Sequence, residues 1–224
     1  VVTCVLDTTA PGSVSVNPMG QGITTTLQIA SLEPGARWEY SLDGQSNWRQ
    51  GFGSGLGVLG NDLPRIWLRQ VDMAGNPSMP QSFLLEQPGT ATWHEASTNP
   101  LQPSRLVTDV RTLIIHGSVA RGDADYVRWD VPVGHRLASA QLVSYQSDDL
   151  IAFYAVQRSA VFDAGVDIAR MLVFGHMGPP DLDRNVVSAI PVDQLGEGPM
   201  TLWFQQTGPL PTRYAIEVRI QPVP

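Results

Sequence analysis

Five residues of this chain carry oxygens that suit a hard cation: Asp7, Asp72, Asn76, Asp123 and Asp125. Ca²⁺ takes roughly six to eight oxygens from carboxylates, carbonyls and water. Asp7 opens the turn-rich run Asp7-Thr8-Thr9-Ala10-Pro11-Gly12, and Asp72 and Asn76 share the later turn Asp72-Met73-Ala74-Gly75-Asn76-Pro77. Where such turns of successive modules meet end to end, an ion between them would stiffen the junction. Asp123 and Asp125 flank Ala124 at a strand start. A spacing of two on a strand aims both carboxylates to one face, where they would share an ion. The competing explanation for each group is a plain turn, because Asp and Asn hydrogen-bond their own backbone. Calcium is therefore the candidate cofactor. Tyr145, Tyr154 and Trp203 offer a different chemistry. Exposed, these rings would line a groove for carbohydrate or peptide; buried, they are core packing.

Signs of catalysis are missing from the sequence. No Ser stands in a Gly-x-Ser-x-Gly elbow. His94-Glu95 has no second His four residues after the first, and His116, His135 and His176 are isolated. Asp148, Asp149, Asp163, Asp167, Asp181 and Asp183 are carboxylates without a pattern; a glycosidase needs two at a fixed separation across a cleft. Gly55-Leu56-Gly57-Val58-Leu59-Gly60 fits a dinucleotide fingerprint in spelling, but Asn61-Asp62-Leu63-Pro64 follows and does not open a helix. Cys4 is the single cysteine, so no internal disulfide forms, and its apolar surroundings predict a packed strand residue. Ser41-Leu42-Asp43-Gly44-Gln45-Ser46-Asn47-Trp48 resembles the Asp-box hairpin of sialidases, with Gln45 where that motif wants Gly. It occurs once, so its expected role is structural: Asp43 bonds the turn and Trp48 covers the core. Arg121-Gly122-Asp123 spells an integrin-type tripeptide at what reads as an ordinary turn.

The elements that must position these groups are strands. Gly (21) and Pro (18) punctuate the 224 residues too densely for long helices. Residues 23–29, 38–42, 66–71 and 82–86 alternate apolar and polar between turns, with Asp43-Gly44 as a hairpin signal. A second set covers 112–117, 125–131, 137–143, 150–157, 200–206 and 214–220. In the strand at 125–131, Tyr126, Arg128 and Asp130 alternate with Val127, Trp129 and Val131, which predicts one wet face and one core face. Residues 164–174 offer a weak case for a short helix. The expected fold is all-β: two β-sandwich domains in tandem, 1–87 and 105–224, joined by a Pro-rich linker at 88–104 in which Trp93 packs or not. All 14 basic residues are Arg, the net charge is −7, and no basic stripe exists. Nucleic-acid binding is disfavoured on that ground. No run has the length of a transmembrane helix, so membrane insertion is not expected.

The blocks Asp7-Thr8-Thr9-Ala10-Pro11, Leu32 through Gly44, Trp48 and Val71 through Ser78 resemble the bacterial immunoglobulin-like repeats of large surface adhesins, over about 7–86. Gly117-Ser118-Val119, Gly122 through Trp129, Val131 through Gly134, Gly198 through Gly208 and Tyr214 through Val218 look like the bacterial pre-peptidase C-terminal domain, a small jelly-roll-like sandwich, over about 105–221. The stretch 150–195 is longer than that pattern. These resemblances imply an extracellular or cell-surface location, neighbouring repeats of the same chain as partners, and polysaccharide or extracellular matrix as ligands, sometimes with calcium. They imply no catalysis. The chain starts inside a strand pattern without an initiator Met or signal peptide, as expected of a segment excised from a longer protein. An accessory substrate- or glycan-binding region of an extracellular hydrolase is the alternative.

Overall fold

A computed structural model describes residues 7–21, 23–60, 65–85, 96–107 and 109–223. Cys4, Trp93 and His94-Glu95 lie outside the described residues, as does Asn61-Asp62-Leu63-Pro64. Among the described residues the chain forms fifteen strands. In the first half these are β1 (Ser15–Gln21), β2 (Thr24–Ser31), β3 (Arg37–Ser41), β4 (Arg49–Gln50), β5 (Gly55–Leu59), β6 (Arg65–Val71) and β7 (Gln81–Leu84). In the second half they are β8 (Ser104–Arg105), β9 (Thr112–Val119), β10 (Ala124–Val131), β11 (His135–Gln146), β12 (Ala152–Gln157), β13 (Val173–Met177), β14 (Gly198–Gln206) and β15 (Thr212–Pro222). The all-β, sandwich-type reading holds. Among the described residues helix is limited to short 3-10 turns, and no helix is long and apolar enough to cross a membrane. Residues 164–174 form one such turn at Ile168–Arg170, capped by Asp167, and then enter β13.

Among the described residues three sheets stack in layers. The middle sheet has the order β1-β2-β5-β9-β15-β11. One outer sheet, β4-β3-β6-β7, comes from the first half, and the other, β13-β12-β14-β10-β8, from the second. Side chains on a strand alternate between faces, and the central strands of the middle sheet serve both cores in this way. Ile114 and Ala215 join Leu27, Leu56, Val58, Trp38, Tyr40, Ile66 and Leu68 in the first core. Their neighbours Leu113, Ile115, Tyr214, Ile216 and Val218 turn to the second core with Val127, Trp129, Leu202 and Phe204.

The sequence did not disclose that the two halves share a sheet. β5 lies parallel to β9, with Leu56 opposite Thr112 and Leu59 opposite Ile115. β5 is the run Gly55-Leu56-Gly57-Val58-Leu59, and all five residues are buried. Its glycines permit close approach: a Cβ on Gly55 would lie 2.4 Å from the Leu27 carbonyl oxygen and 3.1 Å from Val110. The expected linker also carries structure where it is described. Ala96 and Leu106 are buried in the second core, Ser97 bridges to Tyr126, and β8 pairs in parallel with β10.

On β10 the expected wet face holds for Arg128 and Asp130, but Tyr126 on the same face is buried against Phe162. Arg128 and Arg105 both pair with Asp130, at 2.8 Å each. Hydrogen bonds from these guanidiniums outweigh the upward pull of partial burial and hold the Asp130 carboxyl below the usual carboxylate range.

Candidate ligand-binding face

The structure does bring Asp7, Asp72 and Asn76 together. The Asn76 side-chain amide donates to the Asp7 carbonyl at 3.1 Å and to the Asp72 carboxylate at 2.8 Å. The Asn76 backbone N–H donates to the other Asp72 oxygen at 2.8 Å. The Asp7 carboxylate accepts from the Thr9 N–H at 3.0 Å, within its own turn. Hydrogen bonding, the Asn76 side chain first, holds the Asp72 carboxyl below its ordinary range. Here N–H groups face oxygens, which is the chemistry of a closed turn. It does not fit a cage of converging oxygens. Among the described residues no three His, Cys, Asp or Glu side chains gather in a group that could hold a metal ion.

Asp125 points into the second core and is only 2% exposed. Its carboxylate accepts from the Tyr214 hydroxyl at 2.7 Å. A Cβ on Gly117 would lie 2.3 Å from that carboxylate, which explains the glycine. Asp123 remains in the turn and accepts from the Ala124 N–H at 2.9 Å. Both charges act on the same neighbour, a phenol: burial first, then Asp125, pushes the Tyr214 hydroxyl well above its ordinary range, with Asp123 adding to it.

The three expected ligand aromatics part company. Tyr145 is half-buried, packs against the second core, and donates its hydroxyl to the Asp149 carbonyl at 3.0 Å. Tyr154 is 4% exposed and belongs to that core, so its ring lines no open groove. Trp203 alone lies on the outer face of the second sandwich. Strand parity explains the split. Along β12, Tyr154 and Val156 turn inward, while Phe153 and Ala155 turn outward and stand opposite Gln205 and Trp203 of β14.

Trp203 is the hub of an aromatic cluster. Phe153 meets it edge-on with ring centroids 4.7 Å apart, Phe162 edge-on at 5.4 Å, and Tyr126 near-parallel at 6.0 Å. His176 packs edge-on against Phe153 at 5.7 Å. β13 adds Phe174, opposite Ala155 and 44% exposed, and places His176 opposite Phe153. Phe153 and Trp203 are half-buried, and His176 is exposed. The chain between β12 and β13 folds over one side of this row and inserts Phe162 and Ala164. Polar ties fasten it. Gln157 donates to Asp163 at 2.6 Å, the Ala164 N–H donates to Gln157 at 3.1 Å, and Arg170 pairs with Asp163 at 2.7 Å. The bonds from Arg170, then Gln157, hold the Asp163 carboxyl below its usual range. Among the described residues the buried Trp203 indole N–H has no acceptor. The result is a partly exposed aromatic row on the outer face of the sheet, with Phe174 and His176 its exposed members. Phe153, Phe174 and His176 were absent from the expected site because β13 carried no strand signal, and Phe153-Tyr154 gives no hint of which ring faces out.

A separate buried charge cluster joins the halves. Glu217 on β15 is fully buried and accepts a short hydrogen bond from the Tyr40 hydroxyl on β3. Arg219 Nε lies 2.7 Å from its carboxylate, and Arg49 Nε of β4 lies 3.8 Å away. Arg49 also pairs with Asp183, in the loop after β13. Arg219 donates to the Gln50 carbonyl at 3.2 Å and stacks its guanidinium 4.5 Å from the Phe52 ring. Burial, then the Glu217 charge, drives the Tyr40 hydroxyl well above its ordinary range. Every charge here has an opposite partner, so the cluster works as a clamp. No protein-family model matches the chain, and no curated protein matches it in sequence.

Proposed function

We propose that the chain is a non-catalytic segment of a large secreted or surface bacterial protein, in which the second sandwich binds a polymer ligand through the Trp203 face. The first half acts as a spacer, in line with its resemblance to adhesin repeats. The second half carries the row Phe174, His176, Phe153 and Trp203 on its outer face, the first two exposed and the last two half-buried. The observation that carries this reading is that row. Apolar ring faces beside the polar groups of His176 and Gln205 suit sugar rings, which are apolar on their C–H faces and polar at their hydroxyls. Fixed strands hold the rings, so little ordering is lost on contact.

Polysaccharide is the ligand class expected, from matrix or cell wall. The test is a glycan array with the whole chain, followed by calorimetry on any hit. Binding that falls at least about tenfold in both Trp203→Ala and Phe174→Ala, with folding unchanged by circular dichroism, supports the reading. Silence across the array, or binding indifferent to both substitutions, removes this face as the ligand site. Melting with calcium and then with a chelator tests the metal expectation separately, because a ligand of the native form raises Tm.

A further inference from the structure

The last strand of a sheet leaves one row of backbone N–H and C=O groups open, a template for pairing with another chain. Most sheet edges of this molecule are short, blocked or covered. β4 and β8 have two residues each. β1 carries Pro18, which has no N–H to donate. β7 has four residues and starts directly after Pro80. The free side of β11 is covered by the chain after β13: the Asp183 N–H donates to the Leu142 carbonyl at 2.9 Å, and the Val186 N–H to the Ala140 carbonyl at 3.0 Å. β13 has none of these protections. It ends the second outer sheet beside β12, and its run Val173-Phe174-Gly175-His176-Met177 holds no Pro, carboxylate, Lys or Arg. Among the described residues no segment pairs with its other side.

The side chains of this edge complement a second copy of themselves. Phe174 and His176 project to the outer face on either side of Gly175, and both are exposed. An antiparallel pair of β13 strands centred on Gly175 sets Phe174 of one copy opposite His176 of the other, twice over. The same kind of pair exists within the chain, where His176 stands opposite Phe153 and the rings meet edge-on at 5.7 Å. Directly opposed aromatic side chains stabilise a ladder. Outside the strand, exposed Ile168 precedes it and exposed Leu182 follows it, so the antiparallel arrangement brings the side of one toward the side of the other. It likewise brings Arg170 toward the copy's Asp181. Each of these is already balanced in its own chain, Arg170 by Asp163 and Asp181 by Arg184. We infer that β13 is a homodimer contact, at which two copies of the chain pair edge to edge and join their five-stranded outer sheets into one. Five residues a side with their flanks bury less than the roughly 1,200–2,000 Å² of a stable complex, so the dimer belongs to the weak, reversible class. The contact extends the aromatic row across two copies, and it stands whether or not that row takes a sugar.

Analytical ultracentrifugation of the full chain is the test. A reversible monomer–dimer equilibrium with Kd on the order of 1–100 µM is expected. Amide exchange measured above and below that concentration should show added protection at 173–177 and none at β1 or β7. Phe174→Arg sets a cation opposite the copy's His176, and His176→Asp sets a carboxylate opposite the copy's Phe174. Either one alone should weaken the dimer by roughly fivefold or more, because two cross-strand pairs are lost. Phe174→Arg combined with His176→Asp sets opposite charges across the contact twice and should restore it. Both positions are exposed, so the variants are expected to keep the fold, which circular dichroism checks. A chain that sediments as a monomer up to about 1 mM overturns the contact. A dimer that gains protection elsewhere, or that both single variants leave unchanged, overturns β13 as its location. A double variant no tighter than the single ones overturns the register centred on Gly175. If the variants do not fold, the concentration dependence of exchange in the unaltered chain decides alone.

Discussion

At the residue scale, the hairpin at Ser41–Trp48 shows how far a short motif speaks for itself. Asp43 does bind the turn: it accepts from the Asn47 N–H at 3.0 Å and from Ser41 Oγ at 2.7 Å. Burial is the largest single influence and pulls upward, but the hydrogen bonds from Asn47 and Ser41 together outweigh it and hold the carboxyl below the usual range. Trp48 behaves differently from expectation. It is half-buried, with the Arg69 guanidinium 4.1 Å from its ring, and it covers no core. Gln45 has φ of 80°, in the left-handed region where the motif places glycine. An L-residue costs about 1–2 kcal/mol there. Glycine adds back roughly 0.5–1 kcal/mol of unfolded-chain freedom. Gln45→Gly is therefore expected to stabilise the protein by about 0.5–1 kcal/mol in urea unfolding, and a loss of stability would contradict the strain argument. The same scale explains the fate of the acidic residues. The meeting of Asp7 with Asp72 and Asn76 was legible only as a contact between turns of successive modules, whereas it forms within one module. The inward turn of Asp125 was not legible, because it depends on Tyr214, which arrives from a distant strand.

Among elements, strands with clean alternation were legible and strands without it were not. β10 declared itself through Val127, Trp129 and Val131, and β15 through Ile216, Val218 and Ile220. β5 did not, because Gly-Leu-Gly lacks the branched and aromatic residues that mark strands. Its glycines serve contact with β2 and the chain before β9. Gly55→Ala forces a methyl into the Leu27 carbonyl, a backbone atom that cannot swing away. The expected cost is about 1–3 kcal/mol, read as a shift in the urea midpoint; an unchanged midpoint would show that β2 and β5 separate easily. The chain between β12 and β13 makes a second element-scale prediction. Asp163 is depressed by its partners Arg170 and Gln157. A depressed carboxyl contributes stability above the unfolded value, near 3.9, and loses it as pH falls through the lower folded value. Acidification below about pH 4 should therefore loosen 158–172 over Trp203, seen as lower amide protection factors there once the intrinsic pH dependence of exchange is divided out. Asp163→Asn should exchange faster at neutral pH and respond less to acid. Equal acid sensitivity in the variant would place the titrating group elsewhere.

On the scale of the whole molecule, the layered arrangement decides how the halves respond to stress. Modules joined only by a linker unfold independently, each at its own midpoint. Here the middle sheet runs through both halves, and one β-ladder, β5 with β9, must break before they part. The buried Glu217 cluster adds to this. Its carboxylate comes from the second half, while Tyr40 and Arg49 come from the first. Taking Glu217 out of water is costly, and only its partners on both sides compensate. Separating the halves would leave that charge without the Tyr40 donor, so each half stabilises the other. Urea unfolding should then be a single transition: amide protection in β3 and β6 should vanish at the same denaturant concentration as in β10 and β14. Tyr40→Phe removes one donor to a buried carboxylate, which costs about 1–3 kcal/mol. Because the lost bond bridges the halves, the variant should lower the midpoint for both sets of strands together. Loss of protection in β3 and β6 alone, with β10 and β14 intact, would mean that the first sandwich opens as a free unit and that the shared sheet does not bind the molecule into one cooperative body.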